Sequence, residues 1–403
     1  MNSEDAPTPE CPQLPADLLK EQVEQRLARA ASDRQQLLEK LADVDGATFV
    51  ARHIWLARWV TPEHPKIAIV PPDALDPEVE FWFVGDVHGD LLALEAVLMA
   101  YDLLAAERAQ LVFLGDLFDD GFHGAEVLVR VLGTHLREPG GHTWIAGNHD
   151  EALSWSEELE RFQTSVKPGE FAEQLNINTN DASLGALGRL AISIIAELPR
   201  AIFLPGLLAA HAGFPHTDLQ PNLRTPSDLS QLACFRDFVW NRLHESRSKI
   251  PNRASSGSEF GAEDFHSFRR VCGAMGLVID SMVRGHDHTR DKPARWWRPN
   301  SVRGASYEER ILTVNTLAYT QGREVNQFAP PNPRAPTVAR WRPGEVRPTP
   351  IELHLPAALV AWYAPICPKC RQPNATYATV CTVLTDGPDG PVPCDTPLPA
   401  SDV

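Results

Sequence analysis

The sequence predicts a layered α/β domain with an N-terminal helix and a C-terminal appendage. Apolar runs rich in strand-forming residues, at 79–84, 110–114 and 142–146, alternate with helical patterns at 91–99 and 125–136. Strand, helix, strand, helix, strand is the order of a layered α/β fold. Each run also ends in a Gly-led loop carrying carboxylates, Asn or His. Ligands in open α/β sheets bind at the carboxyl ends of strands, so these loops are the candidate site.

Bulk properties narrow the function classes. The chain has 403 residues, a hydrophobic fraction of 43% and a net charge of −16. That length suggests one large domain with appendages, or two domains. The negative charge argues against stable binding to nucleic acid or an anionic membrane, which needs a positive footprint. No stretch approaches the roughly 18 uncharged apolar residues of a membrane span. Residues 1–15 are acidic and Pro-rich, unlike a secretory leader, so a cytoplasmic protein is expected. Seven cysteines, an odd number, do not form a disulfide framework.

In chain order, residues 1–15 are expected to be disordered, and 16–69 to form a helical extension. Leu19, Val23, Leu27, Ala30, Leu37 and Leu41 follow a helical period. Too few heptads are sustained for a coiled coil, so a helix packed outside the main domain is expected. Residues 48–60 form a short amphipathic segment, and 61–77 a Pro-rich connector. The main domain is expected over 70–355. After the first three strands, 151–181 suggests a helical cap, 184–198 a helix, and 201–204 and 207–210 two strands. Helices follow at 226–246 and 265–275, then strands at 277–284, 311–314, 337–341 and 351–354. This second half is expected to be more antiparallel. Residues 365–403 form a separate Pro-rich, Cys-bearing tail.

Five short motifs follow apolar strands. They are Gly85-Asp86-Val87-His88-Gly89, Gly115-Asp116-Leu117-Phe118-Asp119-Asp120-Gly121, Gly147-Asn148-His149-Asp150, His211-Ala212-Gly213 and Gly285-His286-Asp287-His288. Asp86 and His88 are two apart, so in extended chain they face one side. Divalent cations take carboxylate, amide oxygen and imidazole ligands. Asp86, His88, Asp116, Asn148, His211 and His286 supply six, which suits two ions sharing one carboxylate. Such a pair activates water and clamps an in-line displacement at phosphorus. Asn148 and His149 are neighbours whose side chains diverge, so one can bind metal while the other faces substrate. Asp119 can fix the His149 tautomer and favour its charged form.

This set resembles the calcineurin-like metallophosphoesterase superfamily, most closely its phosphoprotein phosphatase branch, over roughly residues 78–320. The resemblance implies a four-layer α/β/β/α sandwich and a phosphoester hydrolase with two divalent ions (Mn, Fe or Zn). It implies that Asp86, His88 and Asp116 hold the first ion. Asp116, Asn148, His211 and His286 would hold the second. His149, held by Asp119, would be the general acid. Arg253 matches a phosphate-gripping arginine, with Asn148 also at the phosphate. Tyr319 matches a tyrosine near the metals, and His288 is a candidate extra ligand. Asp120 stands where that branch has a phosphate-binding arginine, and Asp150 where it more often has Glu. The implied substrate is a phosphoserine or phosphothreonine protein. A dinucleoside polyphosphate or other nucleotide is the alternative, and a non-catalytic scaffold a third reading.

In the tail, Cys367-Pro368-Lys369-Cys370 forms a zinc-knuckle type turn, and Cys381 and Cys394 can complete four sulfur ligands. The alternative is a flexible tail with reduced thiols. Arg284, Arg290, Lys292, Arg295, Arg298 and Arg303, with Trp296 and Trp297, are expected to form a solvated basic face. His123, His135, His142, His216 and His266 are expected to be structural, as are Cys11, Cys234 and Cys272.

Overall fold

A computed structural model describes residues 12–398 except 168, 178–180, 244–249, 252–256, 288–293, 297–309, 320–334, 368, 370–373, 377, 382–383 and 388–389. Two mixed sheets face each other and helices cover both outer faces. The first sheet has strand order Thr349–Glu352, Thr337–Trp341, Glu80–Val84, Ala109–Phe113, His142–Trp144, the last three parallel. The second has order Ile67–Ile69, Ala201–Leu204, Gly206–Ala210, Ile279–Arg284, Ile311–Val314, Ala294–Trp296.

Side-chain alternation explains the layers. On Glu80–Val84, Phe81 and Phe83 enter the apolar layer between the sheets, with Leu207, Ala209, Val283, Leu312 and Trp341. Trp82 and Val84 face the other way, into a cluster built from the helices Leu91–Leu104, Gly124–Arg137 and Ala182–Glu197. On Ala201–Leu204, Ile202 and Leu204 point between the sheets while Ala201 and Phe203 meet helices Leu232–Trp240 and Ala262–Ala274. Successive strand residues point to opposite faces, so continuous apolar runs mean both faces are covered. The result is the expected four-layer α/β/β/α sandwich.

The helix Ala16–Lys40 lies against the outer helical layer through Leu19, Val23 and Leu37, with Arg34 paired to Asp181 at 2.6 Å. Several details differ from expectation. Residues before 16 take part in the fold: Gln13 bridges His354 and Leu14 is buried. The connector over 61–77 contains an edge strand, Ile67–Ile69, parallel to Ala201–Leu204. Three residues between prolines and charges gave no periodicity to read. The cap over 151–181 holds a hairpin, Leu153–Ser156 with Arg161–Thr164, before a short helix, Glu170–Ile177. The helix expected over 226–246 ends at Trp240, and Arg242–Leu243 is extended. Ile279–Arg284 runs parallel to both its neighbours, so the second half is not simply antiparallel. Among the described residues no helix is long and apolar enough to cross a membrane.

Candidate metal centre

All five motifs lie at carboxyl ends of strands, on one edge of the two facing sheets. The approach of the loops is close. A Cβ on Gly85 would lie 2.2 Å from the Val314 carbonyl oxygen, and one on Gly147 would lie 2.1 Å from Asp116 Oδ1. A Cβ on Gly285 would lie 2.1 Å from Asp86 Oδ1. His88, Asp116, Asp119, Asp120 and His286 all take positive φ, between 46° and 69°. Non-glycine residues adopt that region rarely and at a cost, and such strain gathers at functional sites.

Hydrogen bonds aim the side chains inward. His88 Nδ1 lies 3.2 Å from the Phe118 carbonyl oxygen, and His211 Nδ1 lies 3.0 Å from that of Leu114. Each carbonyl accepts an Nδ1–H, which turns Nε2 toward the centre. His211 Nε2 then faces Asn148 Oδ1 at 2.9 Å, His286 Nδ1 at 3.2 Å and Asp116 Oδ2 at 3.2 Å. His88 Nε2 is 3.8 Å from Asp116 Oδ2 and 3.9 Å from Asp86 Oδ2. Asp86 turns both oxygens to the His286 amide, 2.9 Å each, and Oδ1 is 3.7 Å from His211 Nδ1.

These residues fit divalent cations. Lone pairs converge with few protons between them. Asp116 Oδ2 and His286 Nε2, both buried, have no hydrogen-bond partner. An uncompensated buried acceptor is costly, so a cation is the natural complement. Donor atoms cluster within 4.8 Å in two groups, His88 with Asp116 and His149, and Asp116 with His211 and His286. Asp116 belongs to both. Burial opposes its charge, but His211, His149 and His88 outweigh that and hold its carboxyl well below the usual range. Burial, helped by Arg242 and His211, keeps His286 neutral, the form that binds metal.

His149 stands apart. Its side chain keeps 13% exposure, while His88, His211 and Asp116 keep at most 1%. Its Nδ1 lies 3.1 Å from Asp119 Oδ2, so Nε2 is turned away from Asp119. Burial opposes protonation, but Asp116, then Asp119 and Asp120, raise its pKa to about 9. Asp119 Oδ1 accepts from the Phe171 amide at 2.9 Å, which anchors that carboxylate.

Other expected residues divide clearly. Tyr319 is buried and packs beside Phe122 and Tyr363. Arg253 and His288 lie outside the described residues, as do Cys11, Cys370, Arg290, Lys292, Trp297, Arg298 and Arg303. Arg284 is not part of a solvated basic face. It is fully buried, with Nη1 2.5 Å from Asp287 Oδ2 and hydrogen bonds to the carbonyls of Ala212 and Asn241. The arginine thereby ties the fourth motif to the fifth. Cys367, Cys381 and Cys394 come together in the tail, all buried.

Sequence reasoning missed three supports. Asp150 Oδ2 accepts from the amides of Asp116 at 2.9 Å and Gly147 at 2.8 Å, and Oδ1 from Leu117 at 3.3 Å. It latches the second loop to the third. Burial, and next Asp116, push its pKa up to about 6. Asp90 caps the helix Leu91–Leu104 and accepts from the Ala318 amide at 2.7 Å. Arg242 Nη1 is 3.0 Å from Asp287 Oδ1 and 3.3 Å from the His286 carbonyl oxygen. An acidic residue two past a ligand was the only visible signal for Asp150.

Residues 79–290 match the model of the calcineurin-like phosphoesterase family. The chain belongs to this family. It is accordingly a hydrolase acting on phosphoester bonds, in a family that uses dinuclear metal centres. A protein serine/threonine phosphatase from Saccharomyces cerevisiae, similar to human phosphatase PP5, shares 14% identity at a TM-score of 0.51. The alignment covers 85% of this chain and 91% of that one. A metallophosphoesterase from Sphaerobacter thermophilus shares 16% identity, covering 70% of this chain and 92% of the other, with a TM-score of 0.35. A candidate diadenosine tetraphosphatase shares 16% over 73% and 100% of the chains, at 0.37. No curated protein matches the sequence.

Proposed function

We propose that this chain hydrolyses phosphomonoesters at a pair of divalent cations, with phosphoserine or phosphothreonine proteins as substrates. The observation that carries the reading is the convergence of buried acceptors on Asp116, with His149 and its Asp119 partner at the more exposed side. Asp86, His88 and Asp116 would hold one ion, and Asp116, Asn148, His211 and His286 the other. When bound, the ions supply Lewis acidity toward phosphoryl oxygens and a nucleophile at neutral pH.

The chain's own residues do the rest. Asp119 holds the proton on His149 Nδ1 and leaves the Nε2 proton for the departing ester oxygen. General acids of this kind contribute about 10²–10⁴-fold. Asp150 and Arg284 fix the loop geometry, so the carboxylates and imidazoles need little reorganisation. Arg253 would grip the phosphate, as the resemblance implies. Asp120 and Glu170 form an acidic edge beside the buried Asp119 and its His149 partner, with the Asp120 amide donating to Glu170 Oε2 at 3.0 Å. That edge favours leaving groups with neutral or positive surroundings over leaving groups that carry further negative charge. Buried free thiols at Cys234 and Cys272 support a reducing, cytoplasmic setting.

The test is purified protein with manganese on a chromogenic phosphomonoester, then a phosphopeptide against a dinucleoside tetraphosphate. Preference for the phosphopeptide is expected. Faster cleavage of the tetraphosphate would replace the substrate reading, and no turnover with any divalent metal would remove the enzymatic one. Asp116→Asn should lose metal and activity together, whereas His149→Asn should keep metal and lose about 10²-fold or more in rate.

A further inference from the structure

The C-terminal tail carries a second cluster of metal-ligating groups, remote in kind from the first because its donors are sulfur. Cys367, Cys381 and Cys394 offer sulfurs that all lie within 4.8 Å of one another. Cys367 Sγ and Cys394 Sγ are 3.7 Å apart. All three side chains are buried, in a small apolar cluster with Leu398. Two of these sulfurs could pair as a disulfide only by closing to about 2.05 Å, and that would strand the third. Three thiols converging on one point fit a single soft cation better.

Backbone geometry around the sulfurs agrees. The Lys369 amide donates to Cys367 Sγ at 3.4 Å. An N–H aimed at the sulfur two residues earlier favours the thiolate. Cys381 and Cys394 are fastened side by side, since the Cys381 amide donates to the Thr396 carbonyl at 2.8 Å and the Asp395 amide to the Cys381 carbonyl at 3.1 Å. Asp395 takes φ 48°, a tight turn directly after the third sulfur. These contacts hold the donors in register without relying on a large core, which a short Pro-rich tail cannot build.

The chain on either side of Cys367 is bonded to the loops after the first two motifs, through Tyr363, four residues before it, and Thr376, between Cys367 and Cys381. Thr376 Oγ1 donates to the Tyr363 carbonyl at 2.7 Å, and His123 Nε2 lies 3.2 Å from that hydroxyl. His123 precedes the helix Gly124–Arg137 and follows the second motif by two residues. Tyr363 ends the helix Ala357–Tyr363, and its hydroxyl accepts the Leu91 amide at 2.8 Å. Leu91 opens the helix that follows the first motif.

We propose that Cys367, Cys381 and Cys394 bind one zinc ion as thiolates, and that this ion clamps the tail onto the loops after the first two motifs. Structural zinc takes four donors, so one position is left for a fourth. Each thiol releases its proton on binding.

Cobalt reports on this site separately from the catalytic one, whose described donors are nitrogen and oxygen. Full-length protein, reduced with a phosphine and loaded with cobalt, should show one equivalent of strong sulfur-to-cobalt absorption in the near ultraviolet. Zinc should bleach it, and Cys394→Ser should abolish it. Absence of that absorption in reduced wild-type protein would overturn the site. If Cys394→Ser fails to fold, the wild-type spectrum and its zinc displacement still decide. Hydrogen exchange tests the clamp in Asp116→Asn, which removes the ligand shared by the catalytic ions: zinc should slow amide exchange at least tenfold over 91–94 and 357–363. Equal exchange with and without zinc would overturn that part. Neither readout uses phosphatase activity, so this proposal and the catalytic one fail independently.

Discussion

Gly147→Ala isolates the close approach that places Asp116. Gly147 has φ −94° and ψ −179°, a conformation open to alanine, so backbone strain is not the issue. The added methyl would meet Asp116 Oδ1 at 2.1 Å, Asp116 N at 2.5 Å and Asp116 Cγ at 2.9 Å. Real contacts of this type do not fall below 3.0 Å, so something must move by 3.0 − 2.1, about 0.9 Å. Rotating the carboxylate is not enough, because a backbone nitrogen is also in the way. The second and third loops must separate, against the latch of Asp150. Asp116 is the carboxylate common to both donor groups, so its displacement disturbs both. A misplacement near 1 Å costs about 10²-fold in rate, or about 2.7 kcal/mol of transition-state stabilisation. The assay is kcat/KM on a chromogenic phosphomonoester, with metal content and Tm measured on the same sample. Gly133→Ala is the control. Its methyl meets nothing within 4 Å, and alanine in that helix should add roughly 0.5–1 kcal/mol of stability with unchanged rate. If Gly147→Ala keeps its rate within about threefold and its Tm, the close packing does not hold Asp116, and the reasoning fails.

Asp150→Ala leaves the amides of Asp116, Gly147 and Leu117 without their acceptor. At about 1 kcal/mol or more per buried amide, Tm should fall by several degrees and activity should fall with it; an unchanged Tm would refute the latch. Stability should also fall in mild acid through His123, His135 and His142, which burial depresses to about 4, 3 and 4. Below the unfolded value near 6.5 the unfolded chain takes up protons that the native state refuses. Stability is therefore full above that pH and lost as pH falls toward the folded values, by about 2 kcal/mol per histidine at pH 5. His135→Leu should flatten the fall in Tm between pH 7 and 5, and an unaltered slope would count against burial as its cause.

The sheets and the donor set were legible because each rests on local chemistry. Phe81 to Val84 is apolar at every position, which only a strand covered on both faces requires, and the Gly-led loops marked its end. Ile67–Ile69 was not legible, because three residues carry no period and its strand assignment depends on Ala201–Leu204, more than 130 positions away. Arg284 illustrates the opposite error. It neighbours other basic residues in sequence, but its charge is answered by Asp287 and by the carbonyls of Ala212, in the fourth loop, and Asn241, after the helix Leu232–Trp240. Burial of a charge is decided by its partners, and partners distant in sequence leave no local trace.

The supports of this site were harder to see in the sequence than its ligands. A ligand is recognised by residue type, but a support is recognised by what it bonds. Asp86, His88 and His286 read as ligands because five short motifs of ligand-type residues recur in order, whereas Asp150 is an ordinary aspartate until three amides from two loops point at it. Those amides need an acceptor because the loops leave the ladder at Gly115 and Gly147, where strand pairing no longer satisfies them. The positive φ at His88, Asp116 and His286 has the same origin: the chain must turn sharply to aim side chains back across the strand ends. Such turns cost about 1–3 kcal/mol each and persist only where surrounding contacts over-determine them. Asp150, Asp90 and the Arg284–Asp287 pair are those contacts, so strain at the donors and polar burial behind them are two sides of one arrangement.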